Sequence, residues 1–202
     1  MTPPYFRQRG LAAVEFALLL PLLLMLLFGM IDAARALQAN IIITNISREG
    51  ANLVARGNTQ LDTGSQDIIY ALMASAPPLN VKQQGMVYIT RVMGVVKGSL
   101  ARSVVLDQYR WDDGVRNLGH RANGYLPASR VYGCTSWNGP LCKSINSTAR
   151  PDTDTMAGRL ADGEVVYVVE TFYRYDMLLT DTATAALDLP TLGPDLYSMS
   201  IF

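Results

Sequence analysis

Few residues have the chemistry for a covalent or metal site. Cys134 and Cys142 are the only cysteines, and the stretch between them includes the turn-forming residues Asn138-Gly139-Pro140. In an exported domain this spacing predicts a disulfide that closes a short loop, and the alternative is two unrelated thiols. A structural zinc site normally has four ligands, so two cysteines and the distant His120 do not favour one.

The sequence does not predict a catalytic centre. His120 is the only histidine and lies in a polar stretch, so we expect it to be solvated rather than catalytic. Asp112 and Asp113 are expected to cap a turn. Asp152 and Asp154 offer two carboxylates, whereas calcium takes six to eight oxygens. No phosphate-binding glycine loop or nucleophile elbow is present in the sequence. We therefore expect no enzyme activity, no cofactor and no metal.

One acid lies inside an apolar segment. Residues 11–31 are otherwise uncharged, and about 20 helical residues span roughly 30 Å, the thickness of a bilayer core. Arg7 and Arg9 precede the segment, which predicts a cytoplasmic N-terminus. Glu15 near its start would be costly in lipid, and such acids are usually functional. The alternative is a tolerated interfacial glutamate that the positive end of the helix dipole favours.

The helix is expected to continue beyond the membrane. Apolar residues recur every three or four positions from Ala36 to Gly57, the pattern of one helix face. We therefore expect a helix from Leu11 to about residue 57, followed by an exported domain over residues 58–202. The chain carries 17 basic and 17 acidic residues, and this balance gives no basic surface for nucleic acid.

The exported domain is expected to be α+β, with the long helix packed on a small antiparallel sheet. A short helix is predicted at 65–73 with Ser65 as its N-cap. Strands are predicted at 86–96, 103–111 and 164–178, and an edge strand in the tail at 196–202. We expect the aromatic end of the 164–178 strand to pack between the sheet and the long helix. Residues 112–162 are rich in Gly, Asn, Ser, Thr and Pro and form a long insertion.

The N-terminal pattern resembles a known family. A basic leader over residues 1–10 ends in Gly10, Glu15 and Phe16 follow after four residues, and then the apolar run continues. This arrangement is similar to the prepilin peptidase motif of TadE-like minor pilins in tight-adherence (Flp) pilus systems. The resemblance implies cleavage between Gly10 and Leu11 on the cytoplasmic side. It also implies that Glu15 and Phe16 take part in subunit assembly, and that Glu15 pairs with the freed amine of Leu11 in a neighbouring subunit.

The same resemblance implies the partners and the location. The partners would be a prepilin peptidase, other pilin or pseudopilin subunits, the inner-membrane assembly platform and membrane lipid, with no nucleic acid. The protein would cross the bacterial inner membrane once, with its C-terminal domain in the periplasm or outside the cell, and could enter the pilus.

Two other interpretations of the N-terminus remain open. Ala34-Arg35-Ala36 is typical of a signal-peptidase site, although the apolar run is longer than the 7–15 residues of a signal core. Alternatively, the helix is an uncleaved anchor. In either case the chain would be an anchored or secreted binding module, and the insertion would recognise a ligand or a surface.

Overall fold

A computed structural model describes residues 11–56, 61–74, 76–145, 148, 150–177 and 195–202. The chain divides into two units, one of Met1–Gln38 with Asp176–Gly193 and the other of Ala39–Tyr175 with Pro194–Phe202. The leader 1–10 and the predicted helix stop at Gly57 lie outside the described residues.

Three helices precede the sheet. Helix α1 covers Leu11–Arg56 and continues through Pro21, and α2 covers Leu61–Ala74. The short α3 covers Val81–Gln84. The prediction of a long N-terminal helix is confirmed. The predicted start of the second helix is wrong, because α2 begins four residues before Ser65. Ser65 therefore lies inside the helix rather than at its cap. The buried residues of α2 recur at helical spacing on one face: Leu61, Ser65, Ile69, Leu72 and Met73.

The sheet is antiparallel and forms the centre of the second unit. Its long strands are β1 (Gly85–Lys97), β2 (Leu100–Arg110), β8 (Val165–Arg174) and β9 (Asp195–Ile201). Two-residue strands add β5 (Trp137–Asn138), β6 (Leu141–Cys142) and β7 (Asp152–Thr153), all from the insertion. The order is β5-β6-β2-β1-β8-β9, with β7 also paired to β2. The α+β class and the tail as an edge strand are confirmed.

The insertion, residues 112–162, also contains elements outside this sheet. Strands β3 (Asp112–Asp113) and β4 (Leu118–Gly119) form a separate two-stranded hairpin, and α4 follows at His120–Asn123.

Residues 39–56 of α1 cover one face of the sheet. The Ser47 hydroxyl contacts the Thr171 hydroxyl of β8 at 2.9 Å and lies 3.3 Å from the Ser198 carbonyl of β9. At Gly50 the helix comes so close to the sheet that an added Cβ would lie 3.2 Å from a methyl of Val169. The same Cβ would lie 2.8 Å from Leu72 of α2, so the two helices and the sheet meet at this glycine.

The insertion covers the opposite face. Val131 and Leu160 pack against three inward-facing valines of the strands, forming a cluster of Val92, Val131, Leu160, Val166 and Val168. The sheet is therefore buried on both faces, one by helices and one by irregular chain. This arrangement divides the aromatic end of β8, which was predicted to pack between the sheet and α1. Phe172 packs edge to face with Tyr88, at 5.8 Å between ring centroids, beneath the insertion rather than beneath α1. Tyr173 is also buried but lies on the other face, together with Thr171, which contacts Ser47 of α1.

Candidate membrane anchor and subunit surface

The first half of α1 exposes its apolar side chains on every side. All described side chains from Ala13 to Phe28 are exposed, and Leu18 reaches 74%. Folding normally buries such residues, because each leucine brought out of water stabilises a protein by about 1.5–3 kcal/mol. By length and composition α1 is long and apolar enough to cross a membrane, and it is the only such helix among the described residues.

The predicted processing and assembly residues lie at the start of this segment. Gly10 is outside the described residues, and Leu11 is the first residue of α1. Glu15 follows Leu11 by one helical turn and therefore lies on the same side of the helix. The side chains of Glu15 and Phe16 are exposed, with Phe16 at 58%. Both side chains are thus accessible to lipid or to another chain.

The second half of α1 has two different faces. Ala39, Ile43, Ile46, Ala51 and Val54 are at most 3% exposed and face the domain. The opposite face is polar and forms an open groove of about 450 Å³ along the helix, lined by Asn45, Arg48, Glu49, Asn52, Leu53 and Arg56. The same helix therefore holds the domain through one face and presents charged and amide groups to solvent through the other.

The predicted disulfide is present. Cys134 and Cys142 are bonded, and the loop between them forms the β5–β6 hairpin. Leu141 of β6 pairs with Tyr109 of β2, which adds the hairpin to the sheet edge. The guanidinium of Arg110 lies 4.8 Å from the centroid of the Trp137 ring, and its Nε donates to the Gly139 carbonyl at 3.1 Å. The disulfide loop is thus held against β2 by backbone, cation–π and polar contacts.

The acids named from the sequence have structural partners. Asp113 caps a turn as predicted, because its Oδ1 accepts the backbone N–H groups of Val115 and Arg116 at 2.9 and 3.0 Å. Asp112 does not cap a turn. It is buried, and it accepts hydrogen bonds from Arg110 at 2.7 Å and Arg121 at 3.2 Å.

The remaining polar candidates are His120, Asp152 and Asp154. His120 is half-buried rather than fully solvated. It begins α4, and its backbone N–H donates to the Trp111 carbonyl at 3.0 Å. Asp152 pairs with Arg102 at 3.0 Å on the surface, and Asp154 is exposed. Among the described residues, no group of three or more His, Cys, Asp or Glu side chains could hold a metal ion.

One buried acid was missed from the sequence. Glu170 of β8 is completely buried, and its carboxylate accepts three hydrogen bonds. The Ser129 hydroxyl donates at 2.5 Å, the Arg130 backbone N–H at 2.9 Å and the Tyr197 hydroxyl at 3.1 Å. The available signal was the period-two pattern of β8, which puts Glu170 on the same side as Val166 and Val168.

Burial near Glu170 also changes the pKa values of two tyrosines, Tyr197 and Tyr88. Burial raises the pKa of Tyr197 above its ordinary value, and the nearby Glu170 carboxylate raises it further. Burial likewise raises the pKa of Tyr88, and the attraction of Arg110 only partly offsets this effect. Both phenols are therefore neutral donors at physiological pH, as their hydrogen bonds require.

A family comparison identifies the N-terminal segment. Residues 10–52 match the model of the TadE-like protein family, so this segment is TadE-like. The match begins at Gly10 and covers most of α1, including the apolar run and much of the helix that packs on the sheet. No curated protein and no solved structure matches the chain.

Proposed function

We propose that this chain, with its TadE-like N-terminal segment, is a minor pilin or pseudopilin of a tight-adherence (Flp) pilus and has a structural rather than an enzymatic role. The observation that carries the proposal is the extent of the family match. It starts at Gly10 and coincides with a helix whose first half exposes apolar side chains all round. A helix of this kind needs lipid or other helices around it.

Processing is the first step of the proposed role. A prepilin peptidase cleaves after Gly10 on the cytoplasmic side of the inner membrane, and Leu11 becomes the N-terminus. The free amine of Leu11 is a cation, and Glu15 of a neighbouring subunit supplies the matching anion. An unpaired charge is costly in an apolar surround, so this pair favours one register between helices.

Assembly uses the rest of α1. Residues 39–56 hold the domain through their buried face. The polar groove from Asn45 to Arg56 remains exposed and is available to other pilin subunits or the assembly platform. The domain then lies in the periplasm or outside the cell, where its disulfide is stable.

N-terminal sequencing of the protein from the bacterial envelope tests the proposal. We expect Leu11 as the first residue when a prepilin peptidase is co-expressed, and Met1 without it. Gly10→Val should block the cleavage, because a β-branched residue crowds the scissile bond, whereas Gln8→Val in the same leader should be cleaved normally. An intact Met1 in the presence of the peptidase would favour the anchored binding module, and Leu37 at the N-terminus would favour a secreted one.

A further inference from the structure

The β5–β6 hairpin, residues 134–142, is held on the domain by few contacts besides its disulfide. Within this range only Cys142 is buried, and Trp137 is half-buried against the Tyr88 ring at 6.0 Å between centroids. A single ladder pair, Leu141 with Tyr109, joins the hairpin to β2. Segments that bury little apolar surface open locally at a low cost in free energy. The hairpin is therefore a part of the fold that a covalent bond can control.

Further contacts between the hairpin and β2 meet at Arg110. The Arg110 backbone N–H donates to the Pro140 carbonyl at 2.8 Å, and its Nε donates to the Gly139 carbonyl at 3.1 Å. Its guanidinium lies 4.8 Å from the centroid of the Trp137 ring. The edge of a strand exposes unpaired backbone groups unless another segment covers them. The hairpin therefore covers the edge of β2 at Arg110, and the Arg110 N–H reports whether the hairpin is in place.

Another part of β2 is covered without a disulfide. The two-residue strand β7 pairs with β2, and the Val105 N–H donates to the Pro151 carbonyl at 2.9 Å. Thr153 of β7 is buried, and its hydroxyl donates to the Val131 carbonyl at 2.9 Å. The Val105 and Arg110 amides thus form a matched pair. Each donates to a proline carbonyl of the insertion, and only Arg110 depends on the hairpin.

The two sulfurs of the disulfide differ in access. Cys134 is half-buried and lines a cavity of about 200 Å³ together with the exposed residues Leu126 and Gly133. Cys142 is buried, and the Ser144 hydroxyl lies 3.1 Å from its Sγ. In thiol–disulfide exchange, access decides which sulfur is attacked, and the other sulfur leaves as a thiolate. A thiolate from solvent therefore meets Cys134, and the Ser144 hydroxyl can donate to the thiolate that forms on Cys142.

We propose that the Cys134–Cys142 bond is a redox-sensitive latch, which holds the hairpin on β2 when it is oxidised and releases the hairpin when a dithiol reduces it. One thiolate of the dithiol attacks the Sγ of Cys134, and the electron pair of the broken S–S bond leaves on Cys142, which takes up a proton. The second thiol of the reductant loses its proton, attacks the mixed disulfide and expels the Cys134 thiolate, which is protonated in turn. The protein gains two electrons and two protons, and the reductant becomes a disulfide.

The latch belongs to the exported domain and does not depend on the proposed role in a pilus. In an oxidising compartment the bond persists, so the latch stays closed until a dithiol reaches it.

Trapping with a monothiol identifies the sulfur that is attacked. The full chain is held in detergent under native conditions, exposed briefly to mercaptoethanol and alkylated with iodoacetamide. Peptide mass spectrometry should find mercaptoethanol on Cys134 and the alkyl group on Cys142. The reverse pattern, or reduction that occurs only in denaturing urea, overturns the proposal.

Hydrogen exchange read at single amides shows whether reduction opens the hairpin. After reduction with dithiothreitol, we expect the Arg110 amide to exchange about tenfold faster or more, because its acceptor leaves with the hairpin. The Val105 amide should keep its exchange rate, because β7 still covers it. Equal protection of Arg110 before and after reduction overturns the latch. So does a joint loss of protection at Arg110 and Val105, which would mean that the whole sheet unfolds.

A variant without the two thiols separates the latch from other effects of the reductant. The double substitution Cys134→Ser and Cys142→Ser keeps the size of both side chains but cannot form the bond. We expect fast Arg110 exchange and unchanged Val105 exchange in this variant without any reductant, and no further change when dithiothreitol is added. Parent-like protection of Arg110 in the double variant overturns the proposal.

Discussion

The carboxylate of Glu170 accepts a hydrogen bond of 2.5 Å from the hydroxyl of Ser129, which joins the middle of β8 to the insertion. Glu170 is completely buried, and the Arg130 N–H and the Tyr197 hydroxyl also donate to its carboxylate. A buried carboxylate is tolerated only when donors compensate for its lost hydration. The three donors come from the insertion and from β9, so this one acid ties both segments to β8.

Glu170→Gln should therefore destabilise the domain. The amide replaces one acceptor oxygen with a donor, so at least one of the three donors is left facing an N–H group. We expect the free energy of unfolding to fall by about 1.5–3 kcal/mol, the usual range for a hydrogen bond to a charged group. Urea unfolding followed by tryptophan fluorescence measures the change. Glu49→Gln, the same substitution on the exposed face of α1, should have no measurable effect, and an equal loss in both variants would contradict the argument.

Gly94 of β1 lies close to the end of the insertion. A Cβ at this position would lie 2.3 Å from the Ala161 carbonyl oxygen and 2.7 Å from the Leu160 Cβ. Because one of these atoms is backbone, Gly94→Ala must push the chain outward, and we expect a loss of about 1–3 kcal/mol in the free energy of unfolding. Gly133→Ala has open space around its new methyl group and is the matched control. Equal stability of the two variants would show that the contact is not tight.

Asp113 should make stability depend on pH. Burial opposes its ionisation, but hydrogen bonds from the Arg116 guanidinium and from the backbone N–H groups of Arg116 and Val115 hold its pKa below the usual value. Ionised Asp113 therefore stabilises the folded state fully at pH values above the pKa of an unfolded aspartate, about 3.9. It is lost as the pH falls through the lower folded-state pKa.

We accordingly expect Asp113→Asn to be less stable than the parent at pH 7, with the difference shrinking towards zero in acid. Thermal unfolding over a pH series measures it. Asp154→Asn removes an exposed carboxylate from the same insertion and should follow the parent at every pH. A difference between Asp113→Asn and the parent that stayed constant with pH would mean that the charge of Asp113 contributes nothing.

A substitution at Glu15 tests the assembly proposal directly. Under the proposed function, Glu15→Ala should leave cleavage intact, because the peptidase would recognise the leader and Gly10. It should also leave membrane insertion intact or slightly improved, since the segment becomes more apolar. The amine of Leu11 then lacks its partner, so we expect a processed, membrane-resident subunit and at least a tenfold loss of pili. Fractionation and pilus counts on the same cells measure both effects. Val14→Ala, the adjacent position, should be piliated normally, and normal piliation with Glu15→Ala would reduce Glu15 to a tolerated interfacial residue.

Local patterns in the sequence were sufficient to predict several features of the structure. The apolar run and the three- and four-residue spacing predicted α1, because helical periodicity links residues that are close in the chain. The turn between Cys134 and Cys142 predicted the disulfide for the same reason. The turn at Lys97-Gly98-Ser99 and the β-branched and aromatic content of the strand sequences predicted β1, β2 and β8. Gly10, Glu15 and Phe16 supplied the resemblance that the family comparison supports over residues 10–52.

The tertiary structure decided which partners the inward-facing residues meet. Ser65 resembled a helix cap in sequence, but burial of Leu61 extends α2 beyond it. The aromatic end of β8 was expected under α1, but the alternation of side chains along the strand puts Phe172 under the insertion. Glu170 and Ser129 are 41 residues apart, and no local pattern couples them. Their pairing depends on where the insertion folds back over the sheet, because burial and hydrogen-bond satisfaction are properties of the whole packed domain rather than of any short segment.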